Sequence, residues 1–244
     1  MLKSTNPVLA RMNNEEQVFN SAPMTVDGTI GKALILLVIA AIAGGAVFYQ
    51  ASLGYSDKVS QIMTFALIGG LIFGFASIFV HKLTKFFAPI YAFCEGALLC
   101  GISLMLETQF PGIAVQAISG TLLCFAIMLM LYKVGAIRAT EKFRATITTA
   151  LITIVVLYLI NIVGSFFNFS IPFITGSSPM SILFSGIVVT VASLSLILDF
   201  DFIEKGQKNM LPKDYEWYGA FGLIVTLVWL YMEILNLLAK LRND

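Results

Sequence analysis

The chain has 244 residues, a net charge of +1, 58% hydrophobic residues and only 12% charged ones. A soluble domain carries roughly 25% charged residues, so this composition excludes an ordinary water-soluble enzyme. The small net charge and the lack of a long basic run give no reason to expect nucleic acid as a partner.

Residues 1–31 are polar and include Glu15, Glu16 and Asp27. A cleavable signal peptide needs a basic start and an early apolar core, so none is expected here. The expected organisation is a polar cytoplasmic tail over 1–31 and one membrane domain over 32–244. Seven apolar stretches then follow, near 33–53, 62–80, 86–106, 113–132, 145–167, 180–201 and 217–239. Each is about 20 residues long, enough for a helix to cross a hydrocarbon core roughly 30 Å thick. A helix also satisfies its own backbone polar groups in lipid. The predicted fold class is therefore all-α integral membrane, a seven-transmembrane-helix bundle, with the lipid bilayer as its obligatory partner.

Punctuation agrees with these bounds. Pro89 falls in the first turn of the third stretch, Pro111 precedes the fourth, Pro172 and Pro179 flank a Gly-Ser-Ser turn, and Pro212 lies in the last loop. Gly70 with Gly74, and Ala97 with Gly101, have the small-xxx-small spacing of close helix packing. Ser181, Ser185, Ser193 and Ser195 dot the sixth stretch, for hydrogen bonds between helices or for a wet cavity. Cys94, Cys100 and Cys124 all fall inside apolar stretches and read as small buried hydrophobes.

Orientation follows from the basic residues. Lys3, Arg11, Lys32, Lys82, Lys85, Lys133, Arg138, Lys142, Arg144, Lys205, Lys208 and Lys213 fall on one side, and only Lys58, Lys240 and Arg242 on the other. This bias places the N-terminus in the cytoplasm and the C-terminus outside.

No Lys or Arg lies within the seven stretches, but carboxylates do: Glu95 in the third, Asp199 and Asp201 at the end of the sixth, and Glu233 in the seventh. An acid in a span costs roughly 2.5–3.5 kcal/mol on insertion scales, so it needs a reason to be there. At 1.5 Å of rise per residue, Asp199 lies ~7 Å and Glu95 ~13 Å from the N-terminal side, while Glu233 lies ~25 Å in. Depth alone therefore pairs Asp199 with Glu95. Two carboxylates close together in a low dielectric cannot both ionise cheaply; such a pair shares a proton, and once both ionise it repels or binds a cation. That behaviour is a pH sensor. The bland readings are a protonated Glu95 bonded to a backbone carbonyl and, for Asp199 and Asp201, interfacial acids in contact with water.

No nucleotide loop, zinc motif or nucleophile elbow is present, and the single histidine, His81, sits at a helix end. No enzyme activity, cofactor or resident metal is expected.

The stretch Leu198-Asp199-Phe200-Asp201-Phe202-Ile203-Glu204-Lys205-Gly206 resembles the sixth-span signature of the transmembrane Bax inhibitor motif family. Leu230-Tyr231-Met232-Glu233-Ile234-Leu235-Asn236-Leu237-Leu238 resembles that family's last-helix pattern, with Glu where the family carries Asp. The resemblance in span count and order covers about residues 30–240. It implies a seven-helix bundle with the last helix near the centre. It also implies one of two activities: a pH-sensitive calcium leak gated by acids on the last two helices, here Asp199 and Glu233, or regulation of a membrane-anchored AAA protease and of stress responses. The interval from Asp199 to Glu233 is longer than usual in the family. The sequence thus predicts a proton-sensitive cation leak with Asp199 as gate acid, Glu95 or Glu233 as its partner, and Asp201 as a contributor at the cytoplasmic mouth.

Overall fold

The computed structural model describes residues 22–167 and 169–243. It contains seven long helices: α1 (Val26–Ser52), α2 (Ser56–Phe79), α3 (Thr84–Gln109), α4 (Ile113–Val134), α5 (Glu141–Ser165), α6 (Pro179–Lys208) and α7 (Tyr215–Arg242). All are long and apolar enough to cross a membrane. Among the described residues there is no strand, only an isolated bridge between Pro23 and Pro212. The chain is a multi-pass, all-helical membrane protein. Seven crossings put the two ends of the chain on opposite sides. The side holding the start of α1 is called the N-face, the other the C-face.

Most of the predicted polar tail, residues 1–21, lies outside the described residues. The rest departs from expectation: Val26–Gly31 are already helical, and Met24 is fully buried. Packing onto the helical bundle therefore begins by Met24, ahead of residue 32. Thr25 caps α1 by accepting from the Gly28 amide at 3.0 Å. Thr140 and Ser178 cap α5 and α6 in the same way. Helix α4 has no such side chain at its start. Instead Glu107, at the end of α3, accepts from the Gly112 and Ala114 amides at 2.5 and 3.1 Å. Gly112 and Gly135 bracket α4 with φ of +82° and +76°, a conformation that side-chain-bearing residues avoid. Pro89 falls in the second turn of α3, because that helix begins at Thr84.

The packing is not a ring of equals. Helix α7 touches α1, α3, α4 and α6, while α5 leans only on α6 among the well-packed pairs. Burial follows: α7 and α6 bury 56% and 50% of their spans, against 11% for α5. The last helix is the axis of the bundle. Large apolar side chains such as Phe65, Phe79 and Val115 point outward on the peripheral helices, as a hydrocarbon solvent requires.

Small residues set the closest crossing, though not chiefly where the spacing indicated. Gly70 and Gly74 do receive Cys94, Glu95 and Tyr91 of α3. The tightest approach is at Gly96, where an added Cβ would stand 2.1 Å from the Ala40 carbonyl oxygen of α1. Of the four serines of α6, Ser193 and Ser195 donate to their own helix, Ser181 donates to the Gly176 carbonyl, and Ser185 alone bonds another long helix.

Candidate functional site: buried acids on the α6–α7 seam

Asp199 projects from α6 towards α7, where its Oδ1 lies 4.0 Å from the position of a Cβ added at Gly222 and its carboxylate faces Thr226, whose hydroxyl donates to the Gly222 carbonyl at 3.3 Å. Its Oδ2 is closed off from solvent and has no hydrogen-bond partner. Glu233 is 5% exposed. Its Oε1 accepts from Tyr158 of α5 at 2.8 Å and from Trp229 at 3.1 Å, while its Oε2 is buried without a partner. Thr226 and Glu233 are seven residues apart, which returns nearly to the same face of α7 about 10 Å further along. Thr226, Trp229 and Glu233 therefore form a polar stripe along one side of the central helix. Asp199 meets that stripe at its inner end.

Seven residues past Glu233 the same face presents Lys240. Its ammonium is buried and donates to the Ile174 carbonyl at 2.8 Å and to Ser185 Oγ at 2.9 Å. The helical turn Pro172–Thr175 supplies that carbonyl and covers the C-face end of the seam. The basic-residue count reads Lys240 as a solvated loop charge, but α7 runs on to Arg242 and carries Lys240 inside the bundle. Arg242, in turn, donates to the Pro111 carbonyl at 2.9 Å and to Gln116 Oε1 at 2.8 Å.

Glu95 lies elsewhere. It stands on α3 beside the Tyr91 hydroxyl and against Gly70 of α2. Asp199 and Glu95 face different neighbours: Asp199 meets the α7 stripe and Glu95 the α2–α3 contact. Asp201 is answered by cations rather than by water alone. Arg144, from the first turn of α5, reaches its Oδ2 at 2.5 Å, and Lys205 reaches the same oxygen at 2.8 Å. Asp201 is thus an ion-paired residue at the N-face, 8% exposed. One turn on, Glu204 binds Lys208 and the Tyr132 hydroxyl. Among the described residues, no three His, Cys, Asp or Glu side chains stand together as a metal cage.

A second polar centre carries no signal in the apolar pattern. Glu216, in the first turn of α7, is only 1% exposed. It accepts from the Thr25 amide and the Thr25 hydroxyl, both at 3.0 Å, and from the Lys32 ammonium. The Met24 amide also donates to the Leu211 carbonyl at 2.7 Å, and its side chain packs on Gly206 and Gly219. This clasp ties the segment ahead of α1 to the α6–α7 loop. His81 stacks on Tyr218 nearby, with ring centroids 4.7 Å apart, which fits an interfacial aromatic role.

An apolar groove of about 1140 Å³ runs between α1 and α4. Leu223, Ile224, Leu227 and Val228 of α7 floor it, Glu95 and Tyr231 lie at its deep end, and Lys133, Arg138, Asp201 and Glu204 line its N-face mouth. Asp199 and Glu233 lie outside its lining.

Fold and site together define a seven-helix membrane protein with ionisable groups set on its two most buried helices. A family model described as Bax inhibitor 1 like matches residues 6–243, nearly the whole length, and the chain belongs to that family. No curated protein and no solved structure matches it.

Proposed function

We propose that the protein is a slow, proton-sensitive cation leak of the cell inner membrane, with calcium as the cation and no enzymatic activity. The observation that carries this reading is the pair of orphaned carboxylate oxygens, Asp199 Oδ2 on α6 and Glu233 Oε2 on α7, both buried at the seam between the two helices. A buried acceptor without a partner is costly, and a proton or a passing cation relieves it. With protons on these acids, a protonated Asp199 can donate to the facing Thr226 hydroxyl, α6 is held to α7 and the seam is shut. With the acids ionised, repulsion along the seam loosens it and a cation takes the place of the lost proton. Asp199 is the gate acid and Glu233, further along the facing helix, its partner. Glu95 is a second acid reached from the groove, and Asp201 sets the charge of the N-face mouth.

The test is ion flux in liposomes holding the purified protein. Flux is expected to change across about pH 6–8, the range in which such acids exchange protons. Asp199→Asn keeps the shape and removes the charge, so it flattens that dependence. Glu204→Gln, at an N-face ion pair, leaves it nearly intact. Equal pH-dependent flux from Asp199→Asn would sink the gate assignment.

A second reading, regulation of a membrane-anchored protease through the N-terminal segment, draws support from the clasp, which couples that segment directly to α7. Wild-type protein that carries no flux at any pH would favour it. Orientation is tested separately. The basic-residue bias predicts that a reporter fused after Asp244 works only if it is active outside the cytoplasm. Cytoplasmic activity of that fusion would reverse the proposed topology.

A further inference from the structure

The groove between α1 and α4 has the chemistry of a lipid slot. Its void of about 1140 Å³ exceeds the roughly 300–1,000 Å³ of an ordinary ligand pocket. Its walls and floor are almost wholly apolar, and it lies at hydrocarbon depth. Leu34 on one wall is 57% exposed and Leu122 on the other 58%, so the slot opens sideways to the bilayer. Water has few polar partners in such a space, whereas an acyl chain fills it with the contacts its walls lack.

The mouth supplies the second half of an amphiphile's needs. Three acids line it, and two are already answered within the protein: Asp201 by Arg144 and Lys205, and Glu204 by Lys208. The third, Asp27, is exposed on the α1 wall. Among the described residues, Lys133 and Arg138 take part in no salt bridge, and both line the mouth. Lys133 stands in the last turn of α4. The Arg138 guanidinium folds back over that helix end, 3.3 Å from the position of a Cβ added at Gly135. Two cations above an apolar slot between transmembrane helices match an anionic headgroup with its chains below.

We propose that this groove binds an anionic phospholipid of the surrounding membrane, with its phosphate against Lys133 and Arg138 and its chains between Leu34 and Leu122. Full-length protein in detergent is exposed to phosphatidylglycerol and to phosphatidylcholine, and the lipid retained through delipidation is counted by native mass spectrometry. Wild type is expected to keep phosphatidylglycerol under conditions that remove phosphatidylcholine. The Lys133→Gln/Arg138→Gln double variant, changed only at exposed positions, should lose that preference by roughly tenfold or more. Leu122→Trp, which narrows the slot and leaves the charges, should also lower retention. Lys58→Gln, on the C-face, should not. Equal retention of the two lipids, or an unchanged preference in the double variant, overturns the proposal. Soluble glycerol 3-phosphate that displaces the bound lipid fully would show a phosphate site that makes no use of the groove, and it too overturns the proposal.

Discussion

Replacing Gly96 by valine is expected to destabilise the bundle by about 3 kcal/mol or more, at or above the top of the range for overpacked cores. The reason is that the obstacle is backbone. An added Cβ would meet the carbonyl oxygen, Cα and carbonyl carbon of Ala40 at 2.1, 2.5 and 2.6 Å, and no rotamer change relieves such a clash. Either α1 or α3 must move. Gly44, whose own added Cβ would face the Gly96 carbonyl at 3.2 Å, lies at the same crossing and would suffer next. Gly45 is the control, because a Cβ there meets nothing within 4 Å. Gly45→Ala should be neutral or stabilising by roughly 0.5–1 kcal/mol through reduced chain entropy. Thermal unfolding of the three purified proteins checks the order. A Gly96→Val protein as stable as wild type would mean that α1 and α3 do not cross this closely.

The second large effect is expected at Glu216. Glu216→Ala leaves the Thr25 amide and hydroxyl without their acceptor and the Lys32 ammonium without its anion. Removing one partner of a buried ion pair costs about 3–5 kcal/mol. The Lys32 side chain is 17% exposed and can turn towards water, so the lower end applies. Glu216→Gln keeps an acceptor for Thr25 and should lose less. The same pocket explains Gly28, where any Cβ would stand 2.3 Å from the Glu216 carboxylate. The readout is limited proteolysis from the N-face. Glu216→Ala should be cut near residues 22–25 much faster than wild type, with Glu216→Gln between them. Equal cleavage of all three would show that the clasp does not hold that segment.

The seven crossings, their order and the small-residue contacts at Gly70 and Gly74 are legible in the sequence, because hydrocarbon demands long apolar runs and close backbones demand small side chains. Three charged residues are not. Glu216, Lys32 and Lys240 fall just beyond the apolar runs, where a charge ordinarily meets water. Only the added turns of α1 and α7 reveal that these side chains turn inward. The partners of the acids were half legible. Rise per residue gives depth within a span. It gives no azimuth, and azimuth is what directs Asp199 to Thr226 and Glu95 to α2. Arg144 escaped notice for a related reason: a cation at the start of one helix can answer an acid near the end of another.

The most buried helix is also the last of the seven in chain order. Until α7 leaves the ribosome, α1, α3, α4 and α6 lack the axis they pack on. The Met24–Thr25 segment, among the first parts made, must wait for Glu216 and Leu211 to close its clasp. Insertion can proceed span by span, but assembly of the bundle cannot finish before α7 has been made. A six-helix intermediate would stand in the membrane with an open centre and unanswered charges, including Asp199 without Thr226 and Lys32 without Glu216. The emergence of α7 is therefore the step that fills the centre of the bundle and answers those charges together.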